Sequence, residues 1–172
     1  MKLVKSEEPV KKIVFCSSQR FRSELLEFIN EFREIVRKNQ KPFMILEPDF
    51  DTTPKEILNL SEKERLQNSA EYRERLIWDA ANHLFRRVKI ADIVFIFNKN
   101  GYIGVNTSGE LFAAAVLDKK IYSLEKKILM GHYPDDLYEE PFVSFLVWDV
   151  AQTPQEFFNK ICKDFEKKKK IR

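Results

Sequence analysis

Ala91-Asp92-Ile93-Val94-Phe95-Ile96-Phe97 is the stretch on which the fold turns. It is nearly continuous in apolar and β-branched residues, the pattern of a strand buried on both faces. Strands of that kind belong to parallel sheets covered by helices.

Working toward the N-terminus, Ser61-Glu62-Lys63-Glu64 has the capping-box pattern and opens a long helical stretch through Val88. Before it, Glu47-Pro48-Asp49 and Asp51-Thr52-Thr53-Pro54 form a polar loop behind a strand at Phe43–Leu46. Phe21, Leu25, Phe28, Phe32 and Ile35 recur at helical spacing and predict an amphipathic helix ending near Asn39. Lys11–Cys16, built around Ile13-Val14-Phe15, reads as the first strand, and Ser17-Ser18 closes it with turn chemistry. Toward the C-terminus, a glycine-bearing loop at Asn98–Asn106 leads into a helix from Thr107 to about Leu117, then a strand at Lys120–Leu124. Residues 125–141 are mixed and loop-like, and Phe142–Val147 reads as a last strand. Thr153-Pro154-Gln155-Glu156 then starts a helix with Phe157, Phe158, Ile161 and Phe165 inward. This alternation predicts one doubly wound α/β domain over residues 1–172. The expected sheet has five mostly parallel strands, flavodoxin-like or Rossmann-like, with helices on both faces.

The composition agrees with one globular unit: 172 residues, 44% hydrophobic and 33% charged, with fifteen Phe to build a core. No apolar run reaches the roughly 18 residues of a membrane span, and the first residues lack a signal-peptide apolar region. A soluble cytoplasmic protein without a membrane partner is expected. Of the net charge of +3, Lys167, Lys168, Lys169, Lys170 and Arg172 supply five positive charges, leaving the rest at −2. That basic tail, 167–172, reads as a solvated charge run, so nucleic acid is not the expected partner. Cys16 and Cys162 lie far apart without CxxC partners, and the chain has two His; no metal site or cofactor is expected from spacing.

In a doubly wound sheet, ligands bind outside the carboxyl ends of the strands. That brings the loops Cys16–Arg20, Glu47–Thr53 and Asn98–Gly109 together. Gly101-Tyr102-Ile103-Gly104-Val105-Asn106-Thr107-Ser108-Gly109-Glu110 holds three of the four glycines in the chain, as a backbone needs when it turns tightly or approaches a ligand. Thr107 or Ser108 is placed to cap the next helix, whose free N–H groups make an anion site; an ordinary capped β–α connection explains the pattern equally well. Glu110 then falls in the first helical turn, where the macrodipole favours an acid, and where a carboxylate is also placed to attack a sugar carbon. Cys16 reads as a small buried residue, with no His in an evident partner position. Tyr72 and Trp78 read as packing groups, and His132 as part of a solvated loop. No Lys-Ser or Lys-Thr follows Gly109, which excludes a Walker loop, and GxGxxG is missing.

The run Ala91-Asp92-Ile93-Val94, Gly101-Tyr102-Ile103-Gly104, Thr107-Ser108-Gly109-Glu110-Leu111, Ala114-Ala115 and Lys119-Lys120-Ile121-Tyr122 resembles the nucleoside 2-deoxyribosyltransferase superfamily. Val14-Phe15-Cys16-Ser17-Ser18 resembles the first strand and loop of its nucleotide N-hydrolase branch, and the likeness extends in order from Lys12 to Leu124. The resemblance implies that Glu110 attacks the anomeric carbon, displaces the base and forms a glycosyl-enzyme, which water or a second base resolves. It implies that Cys16, Ser17 and Ser18 line the sugar or base pocket, and that Gly104, Asn106, Thr107, Ser108 and Gly109 belong to the loop holding the 5′ end. The family carries an aspartate about two helical turns before the strand, which protonates the leaving base. Here that position falls near His83 and Leu84. His83, expected to titrate near neutrality, and Asp79, one turn earlier on the same face, are the candidate acids.

The chain also departs from the pattern at Phe112, where the family is lean, and at Asp118-Lys119-Lys120, where Gly-Lys-Pro is usual. The resemblance further implies a homodimer or higher homo-oligomer, with which the large aromatic surface of Trp78, Phe85, Phe112, Tyr133 and Tyr138, more than one small core requires, is compatible. A nucleoside or nucleotide is the expected small-molecule partner. The alternative function is a catalytically silent nucleotide-binding module of the same fold.

Overall fold

The computed structural model describes residues 9–50, 61–131 and 135–170, with the side chains of Glu62 and residues 166–170 outside the description. The Asp51–Pro54 loop, His132, Tyr133 and the side chains of the basic tail therefore lie outside the described residues.

Five strands form one parallel sheet: β1 (Lys11–Cys16), β2 (Phe43–Leu46), β3 (Ile93–Ile96), β4 (Lys120–Ser123) and, numbered in chain order, β7 (Asp149–Val150). Their order is β2-β1-β3-β4-β7, so the winding direction reverses at β1 and β3. The register there sets Ile13 beside Ile93 and Cys16 beside Ile96. All four residues of β3 are buried, as its sequence predicts. A two-residue hairpin pair, β5 (Leu129–Met130) with β6 (Tyr138–Glu139), stands outside the main sheet.

Side-chain alternation along the strands divides the core between two faces. Ile13, Phe15, Ile93 and Phe95 point to one side and pack against α1 (Arg22–Lys38) and α6 (Pro154–Lys170). Phe157 sits at the centre of that layer, its ring 4.6 Å from Phe95 and 5.1 Å from Phe32. Val14, Cys16, Val94 and Ile96 point to the other side. They meet Val88 and the buried face of α4 (Val105–Val116), chiefly Leu111 and Ala114. Helices on both faces of a parallel sheet follow.

The long helical stretch is broken. α2 (Glu62–Asn68) carries the predicted capping box at Ser61 and ends at Ser69, whose extended backbone separates it from α3 (Ala70–His83). The Ser69 side chain accepts from the Tyr72 N–H and restarts the helix. A π turn, Leu84–Val88, follows His83 directly. Short 3₁₀ turns occupy Gln19–Phe21 and Lys99–Gly101.

Two expectations are corrected. Phe142–Val147 is not a strand: Pro141–Phe145 forms α5, with Pro141 at its start and the Glu140 carboxylate accepting from the Phe142 N–H. The last strand comes later, as the two residues of β7 beside Tyr122 and Ser123. α4 also begins two residues early. Its N-cap is Gly104, without a side-chain cap, so neither Thr107 nor Ser108 caps it; the Ser108 Oγ instead donates to the Val105 carbonyl. Glu110 consequently lies in the second turn, where the macrodipole argument loses its force. Among the described residues, no helix is long and apolar enough to cross a membrane.

Candidate active site

At the carboxyl ends of β1 and β3 lies a cleft of about 920 Å³. The serine loop after β1 forms one wall, with Ser17 and Ser18; Ser17 Oγ donates to the Phe97 carbonyl and ties that loop to the end of β3. The first turn of α4 forms a second wall, through Gly104, Val105, Asn106 and Thr107. Asp79, Ala80 and His83 present the face of α3 as a third. Of the glycines in the loop before α4, only Gly101 has a left-handed backbone (φ +76), with the Lys127 carbonyl 3.0 Å from where a Cβ would stand. A Cβ on Gly104 would meet only ordinary contacts.

Glu110 reaches the cleft from α4 and is 8% exposed. Its Oε1 lies 3.9 Å from His83 Nδ1, and the second ring nitrogen, Nε2, lies 3.9 Å from Cys16 Sγ. The sequence places these residues far apart; the fold brings them together because Cys16 ends β1 on the face covered by α4 and by the turn that follows His83. His83 is thus the partner that spacing did not reveal for Cys16.

Burial dominates the protonation of all three groups. Desolvation raises Glu110 from 4.5 to about 7, and the hydrogen bond to Cys16 opposes that rise. Desolvation lowers His83 from 6.5 to about 4; the Arg87 charge adds to the fall and Asp49 works against it. Arg87 and Asp49 are themselves paired at 2.6 Å. Burial pushes the Cys16 thiol well up, and the Glu110 charge beside it acts in the same direction. Cys16 is therefore protonated near neutrality and is no free nucleophile. His83 does not titrate near neutrality as its residue type suggests, because its ring is 4% exposed.

Among the sequence-predicted residues, Ser17, Ser18, Asp79, His83, Gly104, Asn106, Thr107 and Glu110 face one cleft, and Cys16 lies beneath it in contact with His83. Ser108 is buried but is not part of the lining, and Gly109 is exposed with open space where a Cβ would go. Phe112 stays out of the cleft: it stacks on Phe142 at 6.3 Å. Arg20, Phe50 and Tyr102 line the cleft from the three loops expected there, whereas sequence reading missed Lys63, Met130 and Tyr138. Arg20 sits 5.2 Å over the Tyr102 ring at the mouth. The one signal for the Met130 side was Gly131, which lines the cleft at φ +134, where a Cβ would collide with the Asp136 carbonyl.

No family model matches the chain, and no curated protein matches it in sequence. Among solved structures, a 2-deoxyribosyltransferase from Bacillus psychrosaccharolyticus is similar over 85% of this chain and 89% of its own, at 18% identity and a TM-score of 0.47. A conserved protein from Enterococcus faecalis V583 is similar over 91% of this chain and 99% of its own, at 11% identity and a TM-score of 0.55. At 11% identity the second likeness is one of fold alone.

Proposed function

We propose that this chain cleaves the N-glycosidic bond of a nucleoside or nucleotide, as a hydrolase or deoxyribosyltransferase, with Glu110 as nucleophile. The observation that carries the reading is the placement of the Glu110 carboxylate: buried, yet on the wall of a large cleft at the switch point of the sheet, facing the serine loop. The resemblance of the segment from Asp92 to Tyr122 assigns the same residue.

The chemistry follows from that placement. The ionised carboxylate attacks the anomeric carbon; the bond from that carbon to the base nitrogen breaks, and its electron pair leaves with the base, which takes up a proton. Water or a second base then displaces Glu110 from the sugar. The N-terminal turn of α4, with its free N–H groups at Gly104–Thr107, receives the 5′ end of the substrate. With a value of about 4, His83 carries a proton in roughly one molecule in a thousand at pH 7, so it is a poor acid there. Asp79, half-buried on the same face of α3, lines the cleft as the other candidate.

That same neutral His83, standing where the family carries an aspartate, favours a second reading: a nucleotide-binding module that has lost turnover. Incubating the protein with purine and pyrimidine deoxynucleosides and their 5′-monophosphates separates the two. Free base, lost in Glu110→Gln, supports the enzyme; tight binding without release of base supports the module. If base appears equally with Glu110→Gln, the nucleophile assignment fails.

The proposal includes a second copy of the chain. Trp78, Phe85 and Tyr138 are 68%, 63% and 54% exposed, an aromatic surface suited to a homo-oligomer, and sedimentation at micromolar concentration tests it. A monomer there contradicts that part of the reading.

A further inference from the structure

Beneath the cleft, three side chains of metal-ligating type converge from three elements: Cys16 at the end of β1, His83 at the end of α3 and Glu110 in α4. One ligand atom from each lies within 4.8 Å of the others. His83 Nδ1 is buried and makes no hydrogen bond, although it faces the Glu110 carboxylate at 3.9 Å. Buried polar atoms are nearly always satisfied, so this one stands out.

The geometry points to a divalent-cation site of zinc type at the floor of the cleft, formed by Cys16 Sγ, one ring nitrogen of His83 and a Glu110 carboxylate oxygen. Thiolate, imidazole and carboxylate are the ligand types of catalytic zinc sites, in which three protein groups leave a fourth position open. Here that position opens toward the cleft, because Glu110 and His83 line it. Zinc–ligand bonds of about 2.0–2.3 Å in a tetrahedron set ligand atoms roughly 3.3–3.8 Å apart. With one ring nitrogen of His83 as ligand, the three ligand atoms lie within 4.8 Å of one another, so the side chains must draw together by about 1 Å to close on the ion. The charges also match, since a thiolate, a carboxylate and a neutral imidazole together balance a dication. Binding releases the thiol proton. A soft ligand such as Cys16 selects zinc or cobalt over magnesium or calcium.

The inference goes beyond the proposed activity and touches it at one point: a metal held by Glu110 withdraws the nucleophile, so zinc would suppress release of base. The test uses the full chain, reduced and freed of metal with chelator, titrated with Co²⁺ and then with Zn²⁺. One equivalent of Co²⁺ should give a thiolate-to-cobalt charge-transfer band that Zn²⁺ removes stoichiometrically. Cys16 and Cys162 are the only thiols in the chain, so the band must vanish in Cys16→Ser and persist in Cys162→Ser. His83→Gln and Glu110→Gln, which keep both thiols, should each weaken Co²⁺ binding about tenfold or more. Melting curves in chelator establish that each variant is folded, and a spectrum counts only from a folded variant. No band, a band that follows Cys162, or affinity unchanged in both His83→Gln and Glu110→Gln overturns the site. The spectrum needs no turnover, so an absence of base release in chelator would count against the proposed activity and leave the metal result standing.

Discussion

His83 Nδ1 and Glu110 Oε1 face each other at 3.9 Å, and burial drives their protonation in opposite directions, to about 4 for the imidazole and about 7 for the carboxyl. Near pH 6 both groups are neutral. The contact has the distance of a salt bridge without the charges of one, and its consequences are all pH-dependent.

Metal-free protein should gain base-releasing activity with pH. Attack requires ionised Glu110, so in the presence of chelator, and with an N7-methylated purine nucleoside whose base leaves without taking up a proton, kcat/KM should rise about tenfold per pH unit below about 7 and level off above it. Assays of base release between pH 5 and 9 check this, and Glu110→Gln should lower the rate by at least roughly a thousandfold throughout.

Glu110 should also destabilise the fold at high pH. Its folded value lies above the unfolded value of 4.5, so the unfolded chain releases this proton first and stability falls as pH rises from 4.5 toward about 7. Above that the penalty is constant at roughly 3 kcal/mol, from about 1.4 kcal/mol per pH unit. Glu110→Gln should therefore be more stable than wild type by about that much at pH 8.5, the gain vanishing near pH 4; denaturant unfolding at both pH values measures it.

For His83 the sign reverses. Its folded value lies below the unfolded 6.5, so the unfolded chain takes up the proton first and stability is lost as pH falls from 6.5 to about 4. The full loss is roughly 3 kcal/mol. His83→Gln should flatten this limb of the stability profile, while a profile that keeps its slope would assign the acid sensitivity elsewhere.

The parallel sheet was legible in the sequence because Ile13-Val14-Phe15 and Ile93–Phe97 are buried on both faces, and such strands carry an apolar run that little else produces. The two residues of β7 carry no pattern of their own, and the apolar run just before them imitated a strand. Phe142 and Phe145, 58% and 81% exposed, show that this run does not supply a core strand. Glu110 was legible through its neighbours, but its depth was not: Gly104 caps α4 without a side chain to announce the start. The Cys16–His83 contact joins residues 67 positions apart, and only the packing of the turn after His83 against the end of β1 creates it. The neutral state of His83 follows from that burial, which residue type alone does not convey.

The aromatic layer on the opposite face should be sensitive to truncation without reaching the site. Phe157 is fully buried among Phe15, Phe32, Phe95 and Tyr122, so Phe157→Ala should cost about 3–5 kcal/mol in denaturant unfolding. The fraction that remains folded should retain its ligand affinity.

The central claim is that Glu110 bonds to the sugar, and intact-protein mass spectrometry tests it most directly. Metal-free protein is incubated with 2′-fluoro-2′-deoxy nucleosides and their 5′-monophosphates, whose electron-withdrawing fluorine slows resolution of a glycosyl-enzyme. The account predicts release of one equivalent of base and a mass increase of one sugar residue, mapped to the peptide carrying Glu110 and absent from Glu110→Gln. Base released without any adduct on Glu110, or an adduct that persists in Glu110→Gln, would contradict it.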